Sequence, residues 1–227
     1  MKNPWEKEYQ QSKLITKDDK PQHSVLKFLR FLKKQGVDLE GKTVLDLGCG
    51  TGRNSLYVVK EKGMHAIGYD ISKTAIHIAR KVARDSNLNN VQFDIRSIGE
   101  PYPLQDNTID LILDVTSSNA LTETERELYL AECFRVLKPE GHMFVRALAK
   151  DGDVNAKKLI KQFPGPEKDT YIMPGLGLTE RVFTREDILA LYRRYFEVLH
   201  IDKTTGYSQI EERMYKRNFF LLYLKKM

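Results

Sequence analysis

Residues 44–59, VLDLGCGTGRNSLYVV, constrain this chain more than any other stretch. An apolar run that reads as a buried strand ends in three glycines within five residues, Gly48, Gly50 and Gly52, and helical spacing follows at once. Each glycine costs chain entropy on folding, so three in one turn imply that something approaches this backbone too closely for side chains. A first strand feeding a glycine turn and a helix N-terminus is where open parallel sheets bind ligands. Backbone N–H groups there favour a carboxylate or phosphate.

The rest of the chain repeats the pattern. Strands are predicted at 43–48, 65–70, 91–95 and 108–115, with helices over about 52–62, 73–86 and 124–137; KPEG at 138–141 reads as a turn before a fifth strand at 142–149. This βαβα rhythm predicts an α/β fold with a mostly parallel sheet and helices on both faces. A helix over 184–196 and two strands, 197–205 and 217–226, close the chain as an antiparallel hairpin around the link 206–216, making seven strands in a Rossmann-like sheet. Residues 150–182 carry Gly152, Pro164, Gly165, Pro166, Pro174, Gly175 and Gly177, and so read as an irregular insertion, either a lid over the site or a disordered loop. The expectation is one domain over 1–227 with an N-terminal cap at 1–36.

Composition narrows the setting. The longest uncharged apolar run, FFLLYL at 219–224, is far short of a membrane span, and the polar start MKNPWEKEYQ is no secretory signal, so the cytoplasm is expected. Cys49 and Cys133 make neither a disulfide framework nor a metal spacing. The net charge of +6 is modest and spread along the chain, which reads as a solvated surface before it reads as a nucleic-acid footprint.

Two nucleotide signatures fail on spacing. A dinucleotide fingerprint needs a small residue at 53, where Arg53 stands, and the loop lacks the G-K-[ST] of a P-loop. Strand ends supply the better clue: Asp46 precedes the glycines, Asp70 ends the second strand, where a carboxylate can accept both hydroxyls of a ribose, and Asp94 ends the third. The segments VLDLGCGTGRNS, IGYDIS, FDIRS and FRVLKPEGHMFV together resemble the motif blocks of class I S-adenosylmethionine-dependent methyltransferases. Within that class, GRNSLYV and VFTREDILALYRRYFEV are similar to the tellurite-resistance-type enzymes. The resemblance implies that Asp46 and the backbone at Gly48 and Gly50 face the methionine part of S-adenosylmethionine, with Arg53 near its carboxylate. It implies that Asp70 holds the ribose, Ile71 packs on the adenine, Asp94 and Ile95 frame the base, and Asp114 closes the cleft. Trp5 and Tyr9, four apart on one helical face, resemble an N-terminal cap over the cofactor; a plain hydrophobic anchor is the other reading.

Methyl transfer from a sulfonium is a displacement that leans on positioning and exclusion of water. No metal pattern appears, and none of the five histidines is well placed as a general base. That favours a small-molecule acceptor that is already nucleophilic, a thiolate or a chalcogen oxyanion, although Asp114 or a tyrosine could serve as base. Asp114, Arg146 and Arg213 are the candidate catalytic residues, with Arg146, Arg181, Arg213 and Arg217 expected to converge on the acceptor rim. An RNA or protein methyltransferase using the basic surface is the alternative, and a non-catalytic partner subunit the third reading. Nucleic acid and membrane are not expected as partners.

Overall fold

The computed structural model describes residues 4–10, 19–210 and 213–227, with side chains at all of these except 208–210 and 213. Helices α1 (Pro4–Gln10) and α2 (His23–Lys34) precede β1 (Thr43–Leu47), α3 (Arg53–Lys62), β2 (His65–Asp70), α4 (Lys73–Asp85), β3 (Val91–Ile95) and β4 (Ile109–Val115). A 3-10 turn (Ser118–Ala120), α5 (Glu123–Val136) and β5 (Leu137–Leu148) follow. Then come α6 (Val154–Gln162), β6 (Thr170–Ile172), β7 (Thr179–Arg181), α7 (Arg185–Tyr192), β8 (Phe196–Ile210) and β9 (Arg213–Lys226).

One sheet of seven strands in the order β3-β2-β1-β4-β5-β9-β8 organises the molecule. The first five are mutually parallel, β9 runs antiparallel to β5, and β8 antiparallel to β9. Period-2 alternation sends successive residues to opposite faces. Leu45, Leu47, Ile112, Met143 and Val145 therefore pack under α5 and α7 with Tyr129, Cys133 and Ile188. Val44, Leu111, Leu113 and Phe144 pack on the other face with Val25, Phe28 and Leu32 of α2 and Val58 of α3. Because β1 pairs with β2 on one side and β4 on the other, the crossing from β3 to β4 leaves a crevice beyond their carboxyl ends.

Three expectations need correction. The segment 150–182 is structured: Asp153 caps α6 by accepting the Ala156 N–H, β6 and β7 form a hairpin, and Leu159, Tyr171, Met173, Leu178 and Val182 close a core of their own with Leu148 and Phe219. Its prolines and glycines punctuate short elements rather than dissolve them. The predicted link 206–216 is mostly strand, with β8 and β9 paired out to Ile210 and Arg213. The charged and polar residues of 206–216 give no run of apolar alternation from which a strand can be read. Finally, KPEG lies inside β5, where the register jumps from Ile109↔Leu137 to Leu111↔His142 and Glu140 takes φ 65°.

Candidate functional site

The turn after β1 is shaped by its neighbours on β2. Gly48 and Cys49 both donate their N–H groups to the Tyr69 carbonyl (2.8 and 2.9 Å), and Gly50 donates to Asp70 Oδ2 (2.9 Å). Gly48, Gly50 and Gly52 all have positive φ, and each lies against a protein group that leaves no room for a Cβ: Ser117 at Gly48, the Tyr9 hydroxyl at Gly50, the Phe93 ring at Gly52. The close approach inferred from the sequence is thus made, in the chain itself, by three side chains distant in sequence.

A cavity of about 540 Å3 opens above this turn. Trp5, Tyr9, Gly48, Gly50, Arg53, Asp70 and Ile71 line it, as do Arg146 and a set that the sequence reading missed: Asn54, Arg96, Ser97, Ile98, Thr116, Ser117, Met173, Leu178, Glu180, Tyr207 and Phe219. Arg96 and Ser97 belong to the FDIRS block and Ile98 directly follows it, so these three were within reach of sequence reasoning. Glu180 and Phe219 come from the insertion and the last strand, and no local signal marks them.

Asp70 is buried, with Oδ1 accepting the Ser72 N–H (2.8 Å) and Oδ2 that of Gly50; burial pushes its carboxyl above the ordinary range despite these bonds. Asp46 lies beneath the turn, not in the cavity. It is fully buried, accepts the Ser55 hydroxyl (2.7 Å), and burial raises it to about 6. Asp94 and Ile95 sit outside the cavity wall, Asp94 facing Gln92 (2.7 Å) and Arg80 (3.6 Å) and Ile95 half exposed.

Asp114 also lies behind the wall rather than in it. Its Oδ1 accepts the N–H groups of Ser117 and Ser118, and its Oδ2 the Tyr129 hydroxyl (2.7 Å). Arg126 holds the same loop from the other side through the Ser118 and Leu121 carbonyls (2.5 and 2.7 Å). Asp114 therefore fixes the loop that carries Thr116 and Ser117 into the cavity, which corrects its placement as a closing or catalytic group.

Of the expected arginine cluster, Arg146 alone among the described side chains reaches the cavity. Its guanidinium stacks 3.5 Å from the Phe219 ring centroid, beside Gly206, whose missing side chain leaves it space. Burial, with the charge of Arg53 nearby, lowers its pKa to about 10. Among the described residues no carboxylate pairs with it. Arg181 is bonded to Glu123 (2.7 Å), and Arg217 is buried against Asp153 (3.1 Å) and Tyr171 (2.7 Å), so neither is a rim group. The Arg213 side chain lies outside the described residues.

Helix α1 covers the cavity through Pro4, Trp5 and Tyr9. Glu6, on the same helix, accepts from Ser72 Oγ (2.8 Å), Thr74 N (3.1 Å) and Thr74 Oγ1 (2.7 Å), and the Thr74 hydroxyl does most to hold its carboxyl down, at about 2. Trp5 packs on the core of the insertion. No group of three or more metal-ligating side chains occurs among the described residues, and no described helix is long and apolar enough to cross a membrane.

Comparison with known proteins agrees with this architecture. The family described as "Methyltransferase domain" matches residues 38–173. A 2-heptyl-1-hydroxyquinolin-4(1H)-one methyltransferase of Mycobacteroides abscessus is 32% identical over 130 residues, 57% of this chain and 54% of that protein. A phthiotriol/phenolphthiotriol dimycocerosates methyltransferase of Mycobacterium ulcerans is 30% identical over 121 residues, 52% of this chain and 42% of that one. The chain thus spans about half the length of the curated relatives it matches. A SAM-dependent methyltransferase from Methanosarcina mazei superposes with a TM-score of 0.74 at 22% identity, covering 86% of this chain and 97% of the other. More than half of the chain falls within the matched family, and the sheet order and crevice are those of the matched fold: the chain belongs to the methyltransferase-domain family, within the class I S-adenosylmethionine-dependent methyltransferases.

Proposed function

We propose that the chain transfers a methyl group from S-adenosylmethionine to a small acceptor whose attacking atom, oxygen or sulfur, is anionic or becomes so. The cavity suits the cofactor: it offers a buried carboxylate at the end of β2, Ile71 and Ile98 for an apolar ring, and Arg53 at the start of α3 for a carboxylate. When bound, the cofactor supplies a methyl group on a positively charged sulfur. Asp70 is the group we assign to the ribose, and Trp5 and Tyr9 to covering the methionine end and excluding water. Asp114 and Arg126 act at one remove by holding Thr116 and Ser117 at the cavity wall.

The observation that carries the acceptor class is Arg146. A guanidinium with no carboxylate partner among the described residues, stacked on Phe219 in a cavity that Leu148, Met173 and Leu178 also line, is suited to draw an anion to that part of the wall. The two curated relatives are named for a heptyl-bearing hydroxyquinolone and for phthiotriol/phenolphthiotriol dimycocerosates, and a hydroxyl on a molecule with a hydrocarbon portion fits such walls. A thiolate or a chalcogen oxyanion, the already nucleophilic acceptor expected from the sequence, would use the same cation. The burial of Arg217 and the pairing of Arg181 take two of the expected arginines out of a basic rim, which favours the small acceptor over an RNA backbone.

Label from radioactive S-adenosylmethionine should enter one of 2-heptyl-1-hydroxyquinolin-4-one, 4-nitrothiophenol or tellurite, and Arg146→Gln should raise KM for that acceptor by roughly tenfold or more with cofactor affinity unchanged. Label entering total RNA, and none of the three, would reject this reading.

A further inference from the structure

The cavity wall holds a second ionisable group that neither the sequence nor the cofactor accounts for. Glu180 on β7 lines the cavity that Arg146 lines, yet only 8% of it is exposed. Behind it runs a buried chain of donors. Arg217 donates through Nε to Asp153 Oδ2 (3.1 Å) and through Nη1 to the Tyr171 hydroxyl (2.7 Å), and Tyr171 in turn donates to Glu180 Oε2. Asp153 is itself held, accepting the Asn218 N–H (2.9 Å) and capping α6. A carboxylate buried at the cavity wall with a tyrosine hydroxyl on one oxygen carries a desolvation cost that an idle packing residue would not need.

We propose that Glu180 is the general base of the reaction, taking the proton from a hydroxyl acceptor whose developing negative charge is held by Arg146. The proposal deepens the acceptor reading given above and rests on it. Glu180 receives the proton as the acceptor oxygen uses a lone pair to bond the methyl carbon. The methyl–sulfur bond breaks with its electron pair staying on sulfur, and the proton leaves Glu180 for solvent once the product has gone. Tyr171 and Arg217 are positioning residues, acting through Glu180.

The balance of forces on the carboxylate suits the task. Burial raises Glu180 above the ordinary carboxylate range, while the Arg217 charge and the Tyr171 hydroxyl pull it back. Among the described residues, those two are the ionisable groups that act on it, and the 3-10 turn packed against β7 presents Ser118, Asn119 and Ala120. A carboxylate whose proton affinity is raised by burial is a stronger base than one in water, and Arg217 and Tyr171 limit that rise. The arrangement also gives the insertion a chemical role: β6 and β7 carry the base, so an acceptor is deprotonated only where the insertion closes over it.

Two measurements decide it. First, the carboxyl carbons of 13C-labelled glutamates are titrated by NMR in the full chain with S-adenosylhomocysteine, the Glu180 signal being the one missing from Glu180→Gln. It should titrate above the other glutamates, and Tyr171→Phe should move it higher still, because a donor to the charged form is lost. Titration with the bulk of the glutamates overturns the base. Second, methyl transfer to phenol and to 4-nitrophenol is compared. Glu180→Gln, with its unfolding temperature and S-adenosylhomocysteine affinity unchanged, should lose about 100-fold or more in kcat with phenol and less than about tenfold with 4-nitrophenol above its own pKa, where no proton remains to be removed. Equal losses with both phenols, or none, overturn the base. If Glu180→Gln does not fold, Glu180→Asp should slow phenol more than 4-nitrophenol while keeping the acidic limb of the pH profile, and loss of that preference has the same meaning. Failure of the unaltered protein to methylate either phenol while Glu180 titrates high rejects the hydroxyl-acceptor reading itself.

Discussion

Gly48→Ala puts the central packing relation of the site to a quantitative test. At φ 69° an alanine sits in left-handed backbone, which costs about 1–2 kcal/mol. Its Cβ would also lie 2.1 Å from Ser117 Oγ and 2.4 Å from Ser117 Cβ. The hydroxyl can rotate away, but Cβ cannot, because the Ser117 N–H is bonded to Asp114 Oδ1 (2.9 Å) and Asp114 is pinned by Tyr129. Such overpacking adds about 1–3 kcal/mol. The sum, about 2–5 kcal/mol, corresponds to a fall in unfolding temperature of roughly 5–20 °C for a chain of this size. Calorimetry on Gly48→Ala, Ser117→Gly and the double variant separates the two parts. Removing the Ser117 side chain clears the clash but not the backbone strain, so the double variant should recover about 1–3 kcal/mol relative to the sum of the singles. Additive single changes would mean that Ser117 does not set the need for glycine at 48.

Further outcomes follow from the same geometry. Asp70→Ala removes a buried acceptor facing the cavity and should weaken S-adenosylhomocysteine binding by about 10- to 100-fold in calorimetry; unchanged affinity would remove the ribose assignment. Asp46 is raised from 3.8 to about 6, so the folded state holds its proton more tightly than the unfolded one, and stability falls as pH rises from about 4 to 6. Asp46→Asn should flatten that fall, worth up to roughly 3 kcal/mol, in urea titrations across the range. Glu6 is depressed from 4.5 to about 2, so its latch on Ser72 and Thr74 is complete above pH 4.5 and is lost as pH drops towards 2. Glu6→Gln should therefore expose α1 to proteolysis at neutral pH, and S-adenosylhomocysteine should restore protection; equal cutting of both proteins would remove the latch.

Much of this protein can be read from its order of residues. The strand–helix rhythm, the glycine turn after β1 and the carboxylate at the end of β2 are local patterns: period 2 for strands, 3.6 for helices, and a turn that excludes side chains. Such patterns are determined by neighbours in sequence, which is why the parallel half of the sheet and the side of the cavity facing Asp70 and Arg53 were legible. The acceptor side was not. Asp114 reads as a residue of the cleft because it ends a strand, but its orientation depends on Tyr129, fifteen positions away on α5. Arg217 reads as a cation of the acceptor rim because the final hairpin borders it, yet Asp153 and Tyr171 bury it. Glu180 carries no signal until β6, β7 and β9 assemble around it. Nor could the sequence say that the glycines make room for Ser117, Tyr9 and Phe93. Burial and pairing of a charged group are set by partners brought together only on folding, and the desolvation that gives Arg146 and Glu180 their chemistry exists only in the packed molecule.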